Sequence, residues 1–365
     1  MSSHDDFLLG VNYWPARTFT RMWAEFDATE TDRDFEAIAG IGLRLVRFFL
    51  FWADFQPQPD RIDPRQLAHL DAVFAAAQAH GLLVMPTLFV GHMSGPNWLP
   101  AWAMSDEPNN RPMAYIVDGA ESPAKPRDMY GADALVAEAQ ALLVRTVVRR
   151  YASHPALWGW DLFNEINFVQ IPERAAGERW LARMAGEVHA FDAGHPVTAG
   201  FVPAPEDAGR GFARSGHRFV DVASEHAYPL YDGRSAGPYD AEYVGRAIEE
   251  TRAAAGKPAL LAEFGLSINP EPGEGEVMRR AGGARVPVRL ADEHRAGEFV
   301  RRVLPIARDA GALGALIWCF SDYDPALYDG IALSGWPHER YFGIFDADGR
   351  LKATGEAMRE FASAL

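Results

Sequence analysis

Short apolar runs alternate with amphipathic segments along the 365-residue chain, and this alternation predicts an α/β fold of the (β/α)8 TIM barrel type. Eight runs have the length of buried strands, and helical patterns follow most of them. No internal repeat or low-complexity tract interrupts the pattern. Because α/β barrels commonly exceed about 250 residues in one domain, we expect a single catalytic domain over residues 1–365.

The predicted elements follow from hydrophobic spacing and from start signals. The strands are predicted at Phe7–Tyr13, Leu43–Phe49, Leu82–Phe89, Leu157–Phe163, Pro196–Phe201, Val220–His226, Ala259–Phe264 and Ala312–Phe320. The helices are predicted at Asp32–Ile41, Pro64–His80, Ala132–Ala152, Glu173–Phe191, Ala241–Ala255, Glu293–Ala310 and Ala353–Ala364. Proline after Asp63 and after Ile171 is typical of a first helical turn.

The alternative α/β architecture is a doubly wound open sheet. Such a sheet usually carries a glycine-rich turn after its first strand, whereas here the first strand runs into Asn12-Tyr13-Trp14-Pro15. The segments after the third, seventh and eighth strands are also long, roughly 40, 25 and 30 residues, well above the usual βα connection. They contain Trp98, Trp102, Trp336 and His338. We expect these segments either to line a pocket or to be variable loops without a role in binding.

Composition excludes several classes of protein. The formal net charge is −15, which argues against nucleic acid and anionic membranes as partners. The single cysteine, Cys319, excludes an intramolecular disulfide and lies in an apolar run, where an inert core thiol is expected. The segment Met1–Asp6 has no basic start or long apolar stretch, and no apolar window is long enough to span a membrane. A cytoplasmic location is therefore expected.

Two glutamates stand at the ends of predicted strands. Glu165 follows the fourth apolar run and Glu263 ends the seventh. A carboxylate is costly to remove from water, so two such placements indicate either a use in a shared site or two solvated strand ends. In a barrel the carboxyl ends of the strands converge on one cleft. Paired carboxylates there can perform acid/base and nucleophilic chemistry.

The order of these residues resembles glycoside hydrolase clan A, and within it family 5, over nearly the whole chain. Asn164-Glu165 resembles the acid/base signature of the clan, and Glu263 resembles its nucleophile. The resemblance implies a retaining β-glycosidase that needs no cofactor and no metal. Carboxyl groups about 5 Å apart are expected in such an enzyme. The charge of Glu263 is expected to raise the pKa of Glu165, the proton donor.

Supporting residues stand where family 5 has matching ones. Arg47 is expected either to pair with Glu263 or to form a salt bridge within the barrel. Asn164 is expected to hold the sugar 2-hydroxyl and Tyr228 to bond the nucleophile. His226 alternates with Tyr228, so it lies either in the cleft or in the core. Glu225, one residue out of register, is expected to face the helices.

Substrate-binding candidates are aromatic or polar residues near the strand ends. Trp318 is expected to be an apolar platform for a sugar ring. The stretch Gly91–Trp98 resembles a family 5 branch that acts on β-mannosides. Further candidates for contacts with the sugar are His92, Asn97, Trp98, Trp52 and Asp322.

The resulting prediction is an exo-acting β-mannosidase on short β-1,4-linked mannosides, including those of the mannosyl-N-acetylglucosamine type. An endo-β-1,4-mannanase or β-glucanase is the alternative. Two other classes stay open: a metal-dependent barrel hydrolase, and a non-catalytic carbohydrate-binding barrel. The first usually begins with a His-x-His pair on strand one, where this chain has Val11-Asn12-Tyr13.

Overall fold

The eight predicted apolar runs form one parallel sheet in the computed structural model, which describes residues 7–365. The strands are β1 (Leu8–Tyr13), β2 (Leu45–Phe51), β3 (Leu83–Val90), β4 (Trp160–Asn164), β5 (Val197–Gly200), β6 (Ala223–His226), β7 (Ala259–Phe264) and β8 (Ala312–Ile317). Their order in the sheet is β5-β4-β3-β2-β1-β8-β7-β6. The backbone N–H groups of Asp221 and Val222 donate to the carbonyl of Val197 and bring β5 and β6 together. The prediction of a (β/α)8 barrel is confirmed.

Helices lie between the strands, as the amphipathic patterns predict. The longer ones are α1 (Ala28–Gly40), α2 (Pro64–Ala79), α3 (Ala134–Tyr151), α4 (Arg174–His189), α5 (Ala241–Ala255), α6 (Glu293–Asp309) and α7 (Ala353–Ala362). Single turns lie at Phe19–Arg21, Trp52–Phe55, Ala101–Ala103, Ile166–Val169, Arg214–Phe219, Pro325–Leu327 and Pro337–Tyr341. An aspartate caps the N-terminus of α1, α2, α3, α5 and α6 by accepting backbone N–H groups.

The strand bounds differ from the predicted ones where apolar residues continue into buried connections. The eighth strand ends at Ile317 rather than Phe320, and the sixth begins at Ala223 rather than Val220. Phe320 and Val220 are nevertheless buried. The apolar runs therefore predicted the buried residues correctly. They did not predict the strand ends, because a buried residue need not take part in the backbone hydrogen bonds of the sheet.

The barrel interior is layered. Leu45, Met85, Leu260 and Leu316 form part of one apolar cluster. Side chains two residues apart on a strand share a face, so Arg47 lies on the same face of β2 as Leu45. Arg47 thus lies one layer nearer the carboxyl ends of the strands. Its side chain is fully buried, which requires charged or polar partners around it.

The long connections contain structure that the sequence did not indicate. The segment after β3 holds short strands at Asn97–Trp98, Met104–Pro108, Tyr115–Val117, Ala120–Ser122 and Ala124–Pro126. The segment after β7 holds an antiparallel hairpin, Gly275–Ala281 paired with Ala284–Leu290. We call these 16 residues, 275–290, the roof hairpin, because it arches over the barrel mouth.

Two predictions concern the chain termini and membranes. The interpretation of Met1–Asp6 as lacking a signal sequence concerns residues outside the described range, and a cytoplasmic location stays a prediction. Within residues 7–365, each helix is too short or too polar to cross a bilayer.

Candidate active site

Glu165 lies directly after β4 at the barrel mouth. Its backbone is in the left-handed region, with φ 44° and ψ 42°, and it precedes the short helix Ile166–Val169. A residue with a side chain seldom adopts this conformation, and such strain is common at functional sites. The turn allows the chain to leave the strand at once, so the Glu165 side chain lines the central cavity.

Glu263 reaches the same cavity from β7, and a register shift directs it there. Leu260 and Ala262 both belong to the cluster inside the barrel, so simple alternation would turn Glu263 outward. The pairing of β6 with β7 shifts between Glu225 and His226, which places His226 opposite Glu263. Irregularities of this kind redirect side chains near active sites. Both residues line the cavity as a result.

The two carboxylates and His226 lie close together. One oxygen of Glu165, one oxygen of Glu263 and a ring nitrogen of His226 are all within 4.8 Å of one another. Around them is a cavity of about 630 Å³, lined by residues from the connections after β3 to β8. This volume is in the range of small-molecule sites.

Arg47 holds the centre of the site. Its Nη1 donates to Glu263 Oε1 at 2.6 Å, and its Nε donates to Asp161 Oδ2 at 2.8 Å. Asn12 Oδ1 and Asn164 Oδ1 accept the remaining bonds, at 3.0 and 2.9 Å. Burial opposes its charge, but Asp161 and Glu263 outweigh burial and raise the pKa of Arg47. Both expected roles, pairing with Glu263 and a salt bridge within the barrel, occur together.

His226 links the two glutamates. Its Nδ1 lies 2.9 Å from Glu165 Oε1 and 3.5 Å from Glu263 Oε1. Burial lowers the pKa of His226, but the charges of Glu263 and Glu165 outweigh it and raise the pKa. Burial raises the pKa of Glu165, yet the hydrogen bond and charge of His226 bring it below the ordinary value. The expectation of a raised pKa for Glu165 was wrong in this geometry, because sequence reasoning assigned no proton to His226.

Gly200 makes room for this imidazole. A Cβ atom at position 200 would lie 2.6 Å from His226 Nε2 and 3.2 Å from Arg47 Nη2. A side chain there would displace both groups, so the end of β5 requires glycine.

Four other predicted residues also meet at the cavity. Tyr228 donates from its hydroxyl to Glu263 Oε2 at 2.9 Å. Asn164 lines the cavity, and its amide nitrogen donates to the carbonyl of His92 at 3.1 Å. His92 stacks near Phe168, and its Nε2 lies 3.8 Å from Glu165 Oε2. Trp318 lines the cavity directly after β8, packed on the edge of Phe49.

Four of the proposed sugar contacts do not line the cavity. Trp52 is 1% exposed and packs against Phe89 and Trp102, so it is a core residue. Trp98 packs on Phe51. Asn97 is fully buried, and its Oδ1 lies 3.0 Å from His92 Nδ1, so it orients His92.

Asp322 is the fourth proposed sugar contact that does not line the cavity. Its carboxylate pairs with Lys352 Nζ at 2.8 Å and accepts the backbone N–H of Gly343. All four residues lie in segments next to the cavity and have side chains that could bind a sugar. The residue type alone does not reveal whether a side chain in such a segment points into the cavity or into the core.

Other residues at the site were missed. Asp161, which anchors Arg47, is a carboxylate inside an apolar run, and the argument used for Glu165 could have found it. Tyr231, Arg279 and Glu339 line the cavity from the connections after β6, β7 and β8, and no sequence signal identifies them. Glu225 turns away toward α5 and contacts Thr251, as expected from its register.

Within residues 7–365, Glu165, His226 and Glu263 are one group whose atoms could converge on a metal ion. Both oxygens of Glu263 already accept hydrogen bonds, from Arg47 and from Tyr228. A cation bound to Glu263 would lie beside the buried guanidinium of Arg47 and be repelled by it. The donor set therefore fits a charged catalytic pair better than a metal centre.

Comparisons with known proteins give matches among glycosidases. A family model described as "Glyco_hydro_42: Beta-galactosidase" matches residues 21–192, just under half of the chain. "Mannan endo-1,4-beta-mannosidase F" of Aspergillus clavatus is 27% identical over 214 residues, which cover 55% of this chain and 44% of that protein. The chain thus spans about half the length of the curated relatives it matches.

Solved structures give the same fold. A GH5_18 protein from Streptomyces cattleya in complex with Manb1-4GlcNAc superposes with TM-score 0.78 at 24% identity, over 98% of this chain and 80% of that one. The exo-beta-1,4-mannosidase Op5Man5 from Opitutaceae bacterium strain TAV5 has TM-score 0.72 at 26% identity, over 98% of this chain and 59% of that one. The predicted resemblance to clan A glycosidases of the mannosidase and mannanase branch is confirmed. These relatives support the prediction of a glycosidase.

Proposed function

We propose that the protein is a retaining β-glycosidase, with Glu263 as nucleophile and Glu165 as acid/base. The observation that carries the proposal is the approach of their oxygens to within 4.8 Å. Retaining enzymes keep the two carboxyl groups about 5 to 5.5 Å apart, and inverting enzymes about 6.5 to 9.5 Å. The different surroundings of the two groups support different roles, since Glu263 accepts hydrogen bonds from Arg47 and Tyr228 while His226 supplies Glu165 with a proton-bearing neighbour.

In the first step the Glu263 carboxylate attacks the anomeric carbon, and the bond to the leaving oxygen breaks. The Nδ1 proton of His226 passes to Glu165 Oε1 along their 2.9 Å contact, and the Glu165 carboxyl group gives a proton to the leaving oxygen. Esterification removes the charge of Glu263, and with it the strongest influence that raises the pKa of His226. His226 therefore gives up its proton more readily as the ester forms.

In the second step Glu165 takes a proton from water and returns it to His226, and the oxygen of that water attacks the anomeric carbon. The ester bond breaks, and the Glu263 carboxylate returns to its contacts with Arg47 and Tyr228. Two displacements at one carbon restore its configuration, so a β-linked substrate gives a β-anomer as the first product.

The proposed substrates are β-linked mannosides. The names of the relatives support this class: mannan endo-1,4-beta-mannosidases among the curated proteins and an exo-beta-1,4-mannosidase among the structures. A neighbour crystallised with Manb1-4GlcNAc supports a short β-1,4-linked mannoside as the substrate. The β-galactosidase description of the family model makes β-galactosides the comparison substrate.

Exo action is the proposed mode, because the connections after β3 and β8 meet across the mouth above β1 and β2. Ser94 Oγ donates to Glu339 Oε2 at 3.1 Å, and Gly95 lies against the indole of Trp336. Glu165, the proposed proton donor, follows β4, which lies next to β3 and is not covered by the contact between these two connections. The non-reducing end of the sugar would then meet a closed wall, which favours a pocket for one terminal residue.

A substrate screen tests this function. Nitrophenyl β-mannoside should be hydrolysed faster than the β-glucoside and the β-galactoside, and EDTA should not change the rate. With mannan, mannose should appear first and viscosity should hardly fall. A rapid fall in viscosity with mixed oligosaccharides would establish endo action, and preference for the β-galactoside would overturn the mannoside assignment. Loss of activity with EDTA would contradict the metal-free mechanism.

A further inference from the structure

The roof hairpin brings two arginines to the cavity, and they differ in their partners. Arg280 makes a double contact with the Glu121 carboxylate, at 2.8 and 2.9 Å. Arg279 lines the cavity above the ring of Tyr231, with its guanidinium carbon 5.6 Å from the ring centre. In the described part of the chain no carboxylate pairs with Arg279, and its Nε is buried without a hydrogen-bond partner.

Each carboxylate around the cavity already has a side-chain partner other than Arg279. Glu165 contacts His226, Glu263 contacts Arg47, Glu339 contacts His338, and Asp232 contacts Arg234. Within residues 7–365, Arg279 is therefore the one arginine of the cavity without a carboxylate partner. A half-buried guanidinium without an anion is costly unless a ligand supplies one.

Arg279 lies toward the open end of the cavity. Tyr231 beneath it is 45% exposed and Val202 is 39% exposed, although both line the cavity. Another part of the cavity wall is closed by the contacts of Ser94 with Glu339 and of Gly95 with Trp336. Glu165, Val202, Tyr231 and Arg279 line the same cavity, so a leaving-group sugar that extends from Glu165 toward the exposed rings and side chains at Tyr231 and Val202 would pass Arg279.

We propose that Arg279 selects substrates whose leaving-group sugar carries an anionic substituent, a carboxylate or a phosphate. This inference rests on the proposed function, since it names the leaving group of that same site. Arginine suits the role because its planar guanidinium bonds carboxylate and phosphate oxygens in pairs, which a neutral hydroxyl cannot reproduce. The guanidinium lies over one face of the Tyr231 ring, which leaves its N–H groups at the edge free to bond an anion.

Binding measured without turnover tests the proposal. Glucuronate, glucose 6-phosphate and glucose are titrated into the protein by calorimetry at low ionic strength. At least one anionic sugar should bind about tenfold or more tightly than glucose, and added salt should weaken that binding. The Arg279→Gln variant should lose this preference, whereas Arg279→Lys should retain part of it. Glucuronate binding alone would assign a carboxylate, and glucose 6-phosphate binding alone would assign a phosphate.

The matched control is Arg285→Gln, which removes the same charge from the exposed, opposing strand of the roof hairpin. It should leave all three affinities unchanged, and melting temperatures should show that each variant is folded. Equal binding of glucose and both anions, or equal losses in the two glutamine variants, would overturn the proposal. Because no step needs hydrolysis, a protein inactive on mannosides that still binds anions through Arg279 would refute the proposed function alone.

Discussion

At the scale of single residues, the site is a row of acidic and basic side chains in which each contacts one of opposite type. Arg47 bonds Asp161 on one side and Glu263 on the other, while His226 lies between Glu263 and Glu165. Each group is expensive to bury by itself, and each is stabilised by the next. The position of the proton on His226 therefore decides the charge of Glu165, and this position can be tested through stability.

The His226→Gln variant should be destabilised more strongly at pH 6 than at pH 9. Carboxylates raise the pKa of His226 in the folded protein, so their stabilising effect is complete below its ordinary pKa of about 6.5 and is lost as pH rises through the raised value. The lowered pKa of Glu165 affects stability only at acid pH, because its stabilising contribution is lost as the pH falls through that pKa. We expect kcat to fall about 100-fold.

Urea unfolding of the wild type and of the variant at the two pH values measures the difference. The control is His294→Gln, whose imidazole is 77% exposed and which should give the same small change at both pH values. An equal loss at pH 6 and pH 9 for His226→Gln would mean that the ring is neutral in the folded protein and that Glu165 itself carries the proton.

At the scale of elements, the connections form the pocket while the strands supply the reacting groups. The positions of Glu165 and Glu263 at strand ends could be predicted from the sequence, because a carboxylate directly after a buried apolar run is rare. The orientation of Glu263 was not predictable, since it depends on a register shift between β6 and β7. The roof hairpin was missed as well. Its strands alternate between exposed and half-buried residues, such as Glu276 and Val277, and lack a continuous apolar run.

Gly95→Ala should open the closed end of the cavity. Position 95 has φ +119°, and a Cβ there would lie 2.2 Å from two atoms of the Trp336 indole. The indole must move, so we expect KM for nitrophenyl β-mannoside to rise about tenfold, equivalent to about 1.4 kcal/mol of lost binding. Initial-rate kinetics measure the change.

Gly119→Ala is the matched control for that substitution. It also has a positive φ, +80°, but among the described residues no atom lies within 4 Å of its added Cβ. Backbone strain alone should cost about 1 kcal/mol of stability and leave KM unchanged. A similar rise in KM for both variants would show that strain in the β3 connection, rather than Trp336, affects binding.

At the scale of the whole molecule, a buried salt bridge links the segment before α7 to the connection after β8. Lys352, next to α7, donates to both oxygens of Asp322 in the connection after β8, and both side chains are buried. The alternation of elements predicted the barrel and the last helix, since strand and helix periods are local properties. It did not predict this pair, because the two residues are 30 positions apart in the chain.

Lys352→Met should lower the free energy of unfolding by about 3 to 5 kcal/mol, since it leaves Asp322 buried without its partner. Burial already raises the pKa of Asp322 to about 6, so the loss should be larger at pH 8 than at pH 5, where the carboxyl can be protonated. Urea unfolding at both pH values measures the effect. Lys125→Met removes an exposed pair with Glu107 and should change stability by about 1 kcal/mol or less. Equal effects would mean that the buried pair contributes no more than a surface one.

Azide rescue tests the central claim, the roles of Glu165 and Glu263, most directly. Both glutamates are replaced by alanine in turn, and hydrolysis of an activated aryl β-mannoside is followed with and without azide. For Glu165→Ala, azide should restore the rate and give a β-mannosyl azide, because the ester on Glu263 still forms and needs no base for azide. For Glu263→Ala, turnover should be lost, and azide should give the α-mannosyl azide by one displacement. The opposite assignment of azide anomers would reverse the two roles, and no rescue of either variant would contradict the double-displacement mechanism.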